Sequence, residues 1–253
     1  MSRQQDSNSV PVVTAELRAL SNEEKRKVLP RFFKTGKGEY GEGDRFLGVT
    51  VPNIRQVAKR HAGASLTALD RLLASPWHEV RMCALLILVE KTKKATAEEC
   101  RELLGFYLDR TRYINNWDLV DLSAPAVVGG WLLKTSPSGT SQGEERQTGA
   151  LPAVLESLAN SPLLWDNRIA VVSTLALIRN GRLDETYTLA LLLMRHEHDL
   201  MHKAIGWMLR EAGKRDHNRL FTFVEEHRHE MPRTMLRYAI ERFDDEERKY
   251  LMS

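Results

Sequence analysis

Residues 164–172 read LWDNRIAVV, a tryptophan and a short polar, basic step leading into an apolar run that keeps a period near 3.6 to about residue 180. This is the text of a helix start, and it recurs. Trp77, Trp117, Trp165 and Trp207 stand 40, 48 and 42 residues apart, close to the ~40–47 of HEAT-type helix pairs. Beside three of them the wording is similar in kind: Val80-Arg81-Met82-Cys83-Ala84, Asn167-Arg168-Ile169-Ala170 and His202-Lys203-Ala204-Ile205. In the remaining unit Asp121-Leu122-Ser123-Ala124 holds the matching place with an acid. If corresponding helices stack, residues 81, 121, 168 and 203 line one surface of a solenoid, expected to be its concave face. A single carboxylate then stands among cations.

Outward from these units almost every segment has the same helical period, and strand-like alternation is nearly absent. Ser21-Asn22-Glu23-Glu24 reads as a helix start before Lys25–Lys34, with acids where the helix dipole favours them. Pro52 suits the first turn of a helix to about His61. Further helices are expected near 66–74, 76–92, 96–109, 117–133, 149–159, 164–180, 183–194, 199–213, 216–228, 232–242 and 244–251. Asn180-Gly181 and Gly213 read as stops, since glycine accepts the left-handed conformation beyond a helix end. Residues 1–14 read as a polar extension and 15–253 as a single repeat domain, interrupted by a polar insertion, SPSGTSQGEERQTG, at 136–149.

The chain has 253 residues, with 42% hydrophobic and 28% charged, an ordinary globular balance that excludes global disorder and disulfide-scaffold classes. Thirty-seven Lys and Arg against 34 Asp and Glu leave a net +3, so an anionic partner must be met by local clustering of charge. Cys83 and Cys100 form no CxxC and fit a reducing compartment. The first twenty residues lack the basic start and apolar core of a leader, and no uncharged apolar run approaches the roughly 20 residues of a membrane span. A cytoplasmic protein with no membrane partner is expected.

Gly36, Gly38 and Gly41 match GxGxxG, but they follow a helix rather than a strand, and Glu39, Glu42 and Asp44 repel phosphate. Tyr40 in the same loop has two readings, an aromatic offered to a base or one that packs the loop down. His196, His198 and His202 give HxHxxxH without HExxH and straddle a turn, so solvated turn histidines are expected rather than a metal site.

Trp117 and Asp121 are one helical turn apart if Asn115 or Asn116 caps a helix. One reading makes the tryptophan core and the acid an exposed or salt-bridged residue. The other is chemical. A purine alkylated on its ring is cationic, and a tryptophan face attracts a cation by ~0.5–2 kcal/mol. Such a base leaves without a general acid, so one carboxylate suffices to stabilise the positive sugar and deliver water. Arg168 and Lys203 would hold flanking phosphates, with Arg81 alongside.

At FFKTGKGEYGEGDRFLGV (32–49) followed by TVPNIRQ, NNWDLVD (115–121), LWDNRIAVV (164–172) and HKAIGWMLRE (202–211) the chain resembles the AlkD family of HEAT-like DNA alkylpurine glycosylases, over about Arg31 to the C-terminus. The resemblance implies that Trp117 and Asp121 are the lesion-side tryptophan and catalytic aspartate, Arg168 the essential basic residue and Trp207 a second groove-facing tryptophan. Tyr40 corresponds to a tyrosine near the N-terminal repeats. It implies excision of 3-methyladenine and 7-methylguanine from double-stranded DNA without metal or cofactor, and without drawing the base into a tight pocket.

The expectation is thus an all-α, right-handed superhelix of HEAT-like helix pairs with a basic concave groove, a monomeric alkylpurine glycosylase. Two other functions fit the same text. One is a non-catalytic module binding distorted or branched DNA, which an acid in the groove disfavours. The other is a protein-binding helical scaffold.

Overall fold

A computed structural model describes residues 2–135 and 151–253; the insertion expected at 136–149 lies outside the described residues. These form fifteen α-helices, and among them the only β-type pairing is an isolated bridge between Arg45 and Trp77. The all-α class is as expected from the periodicity. None of the helices is long and apolar enough to cross a membrane, among the described residues.

The chain divides into two compact units, Met1–Val127 and Val128–Ser253. The first contains α1 (Ser2–Ala19), α2 (Glu23–Phe32), α3 (Val51–Arg60), α4 (Leu66–Leu73), α5 (His78–Thr92), α6 (Ala97–Leu108) and α7 (Trp117–Ala124). Its middle is α5, packed by α1, α3, α4, α6 and α7. A helix apolar around its whole circumference belongs in a core, and in α5 every residue from His78 to Val89 is buried. The stretch expected to be a polar extension is the body of α1. Its text is too polar to show a stripe, yet the helix runs through Pro11 and buries Val13 and Leu17 completely.

The second unit contains α8 (Gly130–Thr135), α9 (Ala153–Ala159), α10 (Leu164–Arg179), α11 (Asp184–Leu192), α12 (Asp199–Gly213), α13 (His217–His227), α14 (Arg233–Ala239) and α15 (Asp245–Met252). Here α10 packs on α8, α9, α11 and α12, and α12 on α10, α11, α13 and α14. The helix expected over 117–133 is interrupted at Pro125–Gly129 by a π-turn. Proline lacks the N–H needed to continue an α-helix and its ring crowds the preceding turn. Gly181 ends α10 in the left-handed conformation (φ 78°) as expected. Gly213 does not, being the last residue of α12. What it supplies is space, because a Cβ there would lie 2.3 Å from Leu220.

The buried polar residues of α5 organise the segment that precedes α3. The Glu79 carboxylate accepts from the amides of Leu47 (2.9 Å), Gly48 (2.8 Å) and Val49 (3.3 Å), while the backbone of Arg45 accepts from His78 N at 2.8 Å. Gly48 stands at φ 82°, and a Cβ on it would meet the Asn22 carbonyl oxygen at 2.2 Å. Gly48→Ala is therefore expected to destabilise the protein by about 2–4 kcal/mol, from left-handed strain and backbone overlap together. Gly63→Ala, where a Cβ meets nothing within 4 Å, is the control. Urea unfolding checks this: the Gly48 variant lowers the midpoint at unchanged slope, and equal midpoints for the two variants would refute the account.

Candidate functional site

The residues at matching places in the sequence units occupy matching places on helices. The helices α5, α7, α10 and α12 are preceded by Trp77, Asn116, Leu163 and His198 as N-caps. Arg81 is the fourth residue of α5, and Asp121, Arg168 and Lys203 are the fifth residues of α7, α10 and α12. The tryptophans that revealed the period are less regular. Trp77 caps α5 and Trp117 opens α7, whereas Trp207 lies one turn beyond Lys203 in the middle of α12.

In the first unit Trp117 and Asp121 are both half-buried, one turn apart on α7. Asn116 caps the helix through its side-chain oxygen, which accepts from Trp117 N at 2.9 Å. The Trp117 ring is stacked on Phe33 at 5.4 Å and 21° and met edge-on by Phe32 at 5.9 Å. Both phenylalanines come from the end of α2. Phe32 is 60% exposed, an unusual place for a large aromatic ring and one that extends the aromatic surface beside Trp117. Sequence reading passed over this pair, because a Phe-Phe step at a helix end carries no sign of what lies opposite it. Tyr40 is half-buried in its loop. In that loop the Gly36 amide donates to Glu39 (2.8 Å) and the Gly38 amide to Glu42 (2.7 Å). Two of the N–H groups that a phosphate loop would offer are thus taken by the loop's own acids, and that of Gly41 by the Lys34 carbonyl at 3.0 Å.

Beneath the aromatic rings lies a buried charge cluster. His78 places Nδ1 3.1 Å from Asp44 Oδ2 and Nε2 2.8 Å from Asp118 Oδ2. Arg81 Nη2 donates to the other Asp44 oxygen at 2.6 Å and Nη1 to the Ser75 carbonyl at 3.2 Å. Arg81, expected to face DNA, is only 6% exposed, and its side chain is turned inward because Asp44 lies there. Burial by itself disfavours a charged imidazole, but Asp118 and Asp44 together overcome it and push the His78 pKa up to about 9. Burial likewise works against the Asp44 carboxylate, and the bonds and charges of His78 and Arg81 outweigh it, holding its pKa below the usual range.

In the second unit Arg168 is 5% exposed and donates Nη1 to the Leu200 carbonyl at 2.7 Å, at the start of α12. Asn167 beside it reaches the carbonyls of Leu158, Ala159 and Ser161 with Nδ2, at 2.9–3.0 Å. Lys203 pairs with Asp199 at 2.7 Å and is partly exposed, and Trp207 is half-buried one turn on. His196, His198 and His202 are half-buried, not solvated as expected from sequence. They build the turn: His198 Nδ1 accepts from Leu200 N at 3.1 Å, and His196 Nδ1 from His198 N at 3.0 Å. Burial lowers the pKa of His198, and the nearby His202, Arg168 and Lys203 add to that effect. Among the described residues no group of three or more His, Cys, Asp or Glu is placed to hold a metal ion.

The cluster sets a stability window. Since the folded pKa of His78 is raised from 6.5 to about 9, its contribution is complete below pH 6.5 and is lost as pH rises through 9. The loss is on the order of 3 kcal/mol by the usual conversion. Asp44, with its lowered pKa, contributes above the usual aspartate range and loses that contribution in acid. Urea unfolding free energies at pH 6.5 and 9.5 should differ by about that amount in the native protein and by much less in His78→Gln; equal slopes against pH in the two would refute the assignment.

The DNA alkylation repair enzyme family model matches residues 13–243. Among solved structures, the chain is similar to a predicted DNA alkylation repair enzyme from Enterococcus faecalis, with 17% identity and a TM-score of 0.67 over 89% of this chain and 97% of that one. No curated protein matches the chain. At 17% identity that likeness bears on the fold, while the family rests on a sequence match over nearly the whole length: this chain belongs to the DNA alkylation repair enzyme family.

Proposed function

We propose that the protein is a DNA glycosylase that hydrolyses the N-glycosidic bond of cationic alkylated purines, 3-methyladenine and 7-methylguanine, in duplex DNA. The observation that carries this reading is the pairing on α7 of a half-buried tryptophan with a half-buried carboxylate one turn away, in a chain of a DNA alkylation repair family.

The chemistry asks for little more. The alkylated ring leaves as a neutral base once the glycosidic bond breaks, so no general acid is required. The barrier lies in the positive charge that develops on the sugar, and a preoriented carboxylate stabilises such charge where water is partly excluded. Asp121 takes this role and directs the attacking water. Trp117, widened by Phe32, offers the π-face on which a cationic base gains ~0.5–2 kcal/mol over a neutral one. Trp207 contacts the lesion nucleotide as well. Arg168, anchored on the Leu200 carbonyl, and Lys203 hold backbone phosphates, and Tyr40 is assigned to the DNA-facing side. The reading includes a monomeric state, action without metal or cofactor, and a cytoplasmic location.

Asp121→Asn is expected to reduce excision of 7-methylguanine from methylated duplex DNA at least a hundredfold while changing duplex affinity less than threefold. Release of free base by purified protein in EDTA, beside a binding titration at fixed salt, checks both. Excision by the Asn variant at the native rate would overturn the mechanism, and no release by the native protein with intact binding would assign it to non-catalytic recognition of DNA.

A further inference from the structure

The first unit holds a buried group that the proposed chemistry does not use. His78 is 1% exposed, and both of its ring nitrogens face carboxylates. A neutral imidazole has one N–H and one lone pair, so it satisfies one carboxylate and turns a lone pair toward the other; only the doubly protonated ring donates to both. With the proton in place the four groups balance, two carboxylates against an imidazolium and a guanidinium.

What the ring grips is the first turn of α7. Asp118 is the second residue of that helix, and its other oxygen accepts from Leu119 N at 2.8 Å. Asn116, the N-cap, donates Nδ2 to Asp44 at 3.4 Å. The two residues flanking Trp117 are thus tied, directly or through Asp44, to one imidazole. The ring also lies 5.0 Å from Phe33 and 4.9 Å from Phe46, and Phe33 stacks on Trp117. Polar and aromatic contacts therefore fix the same helical turn from two sides, and Asp121 follows one turn later on that helix.

We propose that protonated His78 is a positioning residue for base excision: by clamping Asp118 and Asp44 it fixes the start of α7, and so the placement of Trp117 and Asp121 against the lesion. This rests on the glycosylase reading. Loss of the proton leaves two carboxylates and one guanidinium, which is paired with Asp44, costs one hydrogen bond and loosens the turn, so excision acquires an alkaline limb that belongs to His78. Among the described residues the charged groups meeting the ring are Asp44 and Asp118, with Arg81 joined through Asp44. Glu79, next along α5, is turned away onto the Leu47, Gly48 and Val49 amides.

The test is the single-turnover excision rate of 7-methylguanine from methylated duplex DNA by the full chain, from pH 6 to 9.5, with enzyme-free controls at each pH. The native protein is expected to lose activity with a midpoint near 9. His78→Gln is expected to excise 10- to 100-fold more slowly at pH 7, with duplex affinity within twofold of native and no limb between pH 7 and 9.5. Native rates in a folded Gln variant, or an unchanged limb, would overturn the proposal. If that variant does not fold, Asp118→Asn serves: removing one of the two carboxylates should move the limb to lower pH, and an unmoved limb overturns the assignment. Should the native protein release no base at all, the glycosylase reading fails separately. The Trp117 indole N–H resonance, assigned with Trp117→Phe, then reports the clamp by shifting with a midpoint near 9, and a resonance indifferent to pH in that range refutes it.

Discussion

The contact between His78 and its two carboxylates is the constraint on which the first unit depends. Removing ions from water costs several kcal/mol each, and a buried ion pair recovers that only with good geometry and further hydrogen bonds. Here the geometry is shared among four charged side chains from three places in the chain: the loop before α3, the start of α5 and the start of α7. Each carboxylate oxygen of Asp44 and Asp118 has a partner. Glu79 acts in the same way one residue on, where three successive amides of the segment before α3 converge on a single carboxylate. The polar start of α5 thus holds a loop on one side and a helix on the other, while the rest of α5 is core.

This arrangement bears on how the pair proposed for catalysis can sit on a short helix. The helix α7 spans only Trp117–Ala124 before Pro125 and the π-turn, and a helix of that length has little stability of its own. Its orientation must come from outside, from the burial of Leu119, Val120 and Ala124 and from the ties at its N-terminal turn. In the second unit the corresponding work is done by side chains that donate to backbone carbonyls. Asn167 gathers the carbonyls at the end of α9, and Arg168 takes the Leu200 carbonyl. Helix starts are where backbone groups lack intrahelical partners, so polar residues placed there both satisfy the helix and fix its neighbours.

How far the sequence could be read follows from the range of each signal. The helices of both units were legible because burial on one face or all faces writes a local period. The helix α1 was not, since its amphipathic stripe is confined to residues such as Val13 and Leu17 amid polar text. Trp117 and Asp121 were legible as an i, i+4 pair. The cluster below them was not: Asp44, His78 and Asp118 are separated by 34 and 40 positions, and nothing in a one-dimensional text joins them. The same distance hid the surroundings of Arg81. Its place on the helix is within one residue of those of Arg168 and Lys203, but which way its charge turns is decided by Asp44, seen in the sequence only as one more acid in a glycine-rich loop. The HxHxxxH segment shows the converse, because its histidines are half-buried by the turn they themselves build.

The cluster's charge balance bears on how a lesion would be sensed. A cationic base above Trp117 is attracted by the ring and by Asp121, and a net positive charge beneath would oppose it. With His78 protonated the four buried groups cancel, so the cluster can sit close to the aromatic face without cost to a cation. When the proton leaves, the cluster becomes net negative. At about 10 Å and an effective dielectric near 20 one such charge is worth roughly 1–2 kcal/mol of attraction for a cationic base. Electrostatics alone would thus make alkaline conditions favour the lesion, whereas a loosened α7 makes them disfavour it. The two effects have opposite signs, so the direction in which excision changes above neutrality separates a group that holds the site in place from one that merely adds to its field.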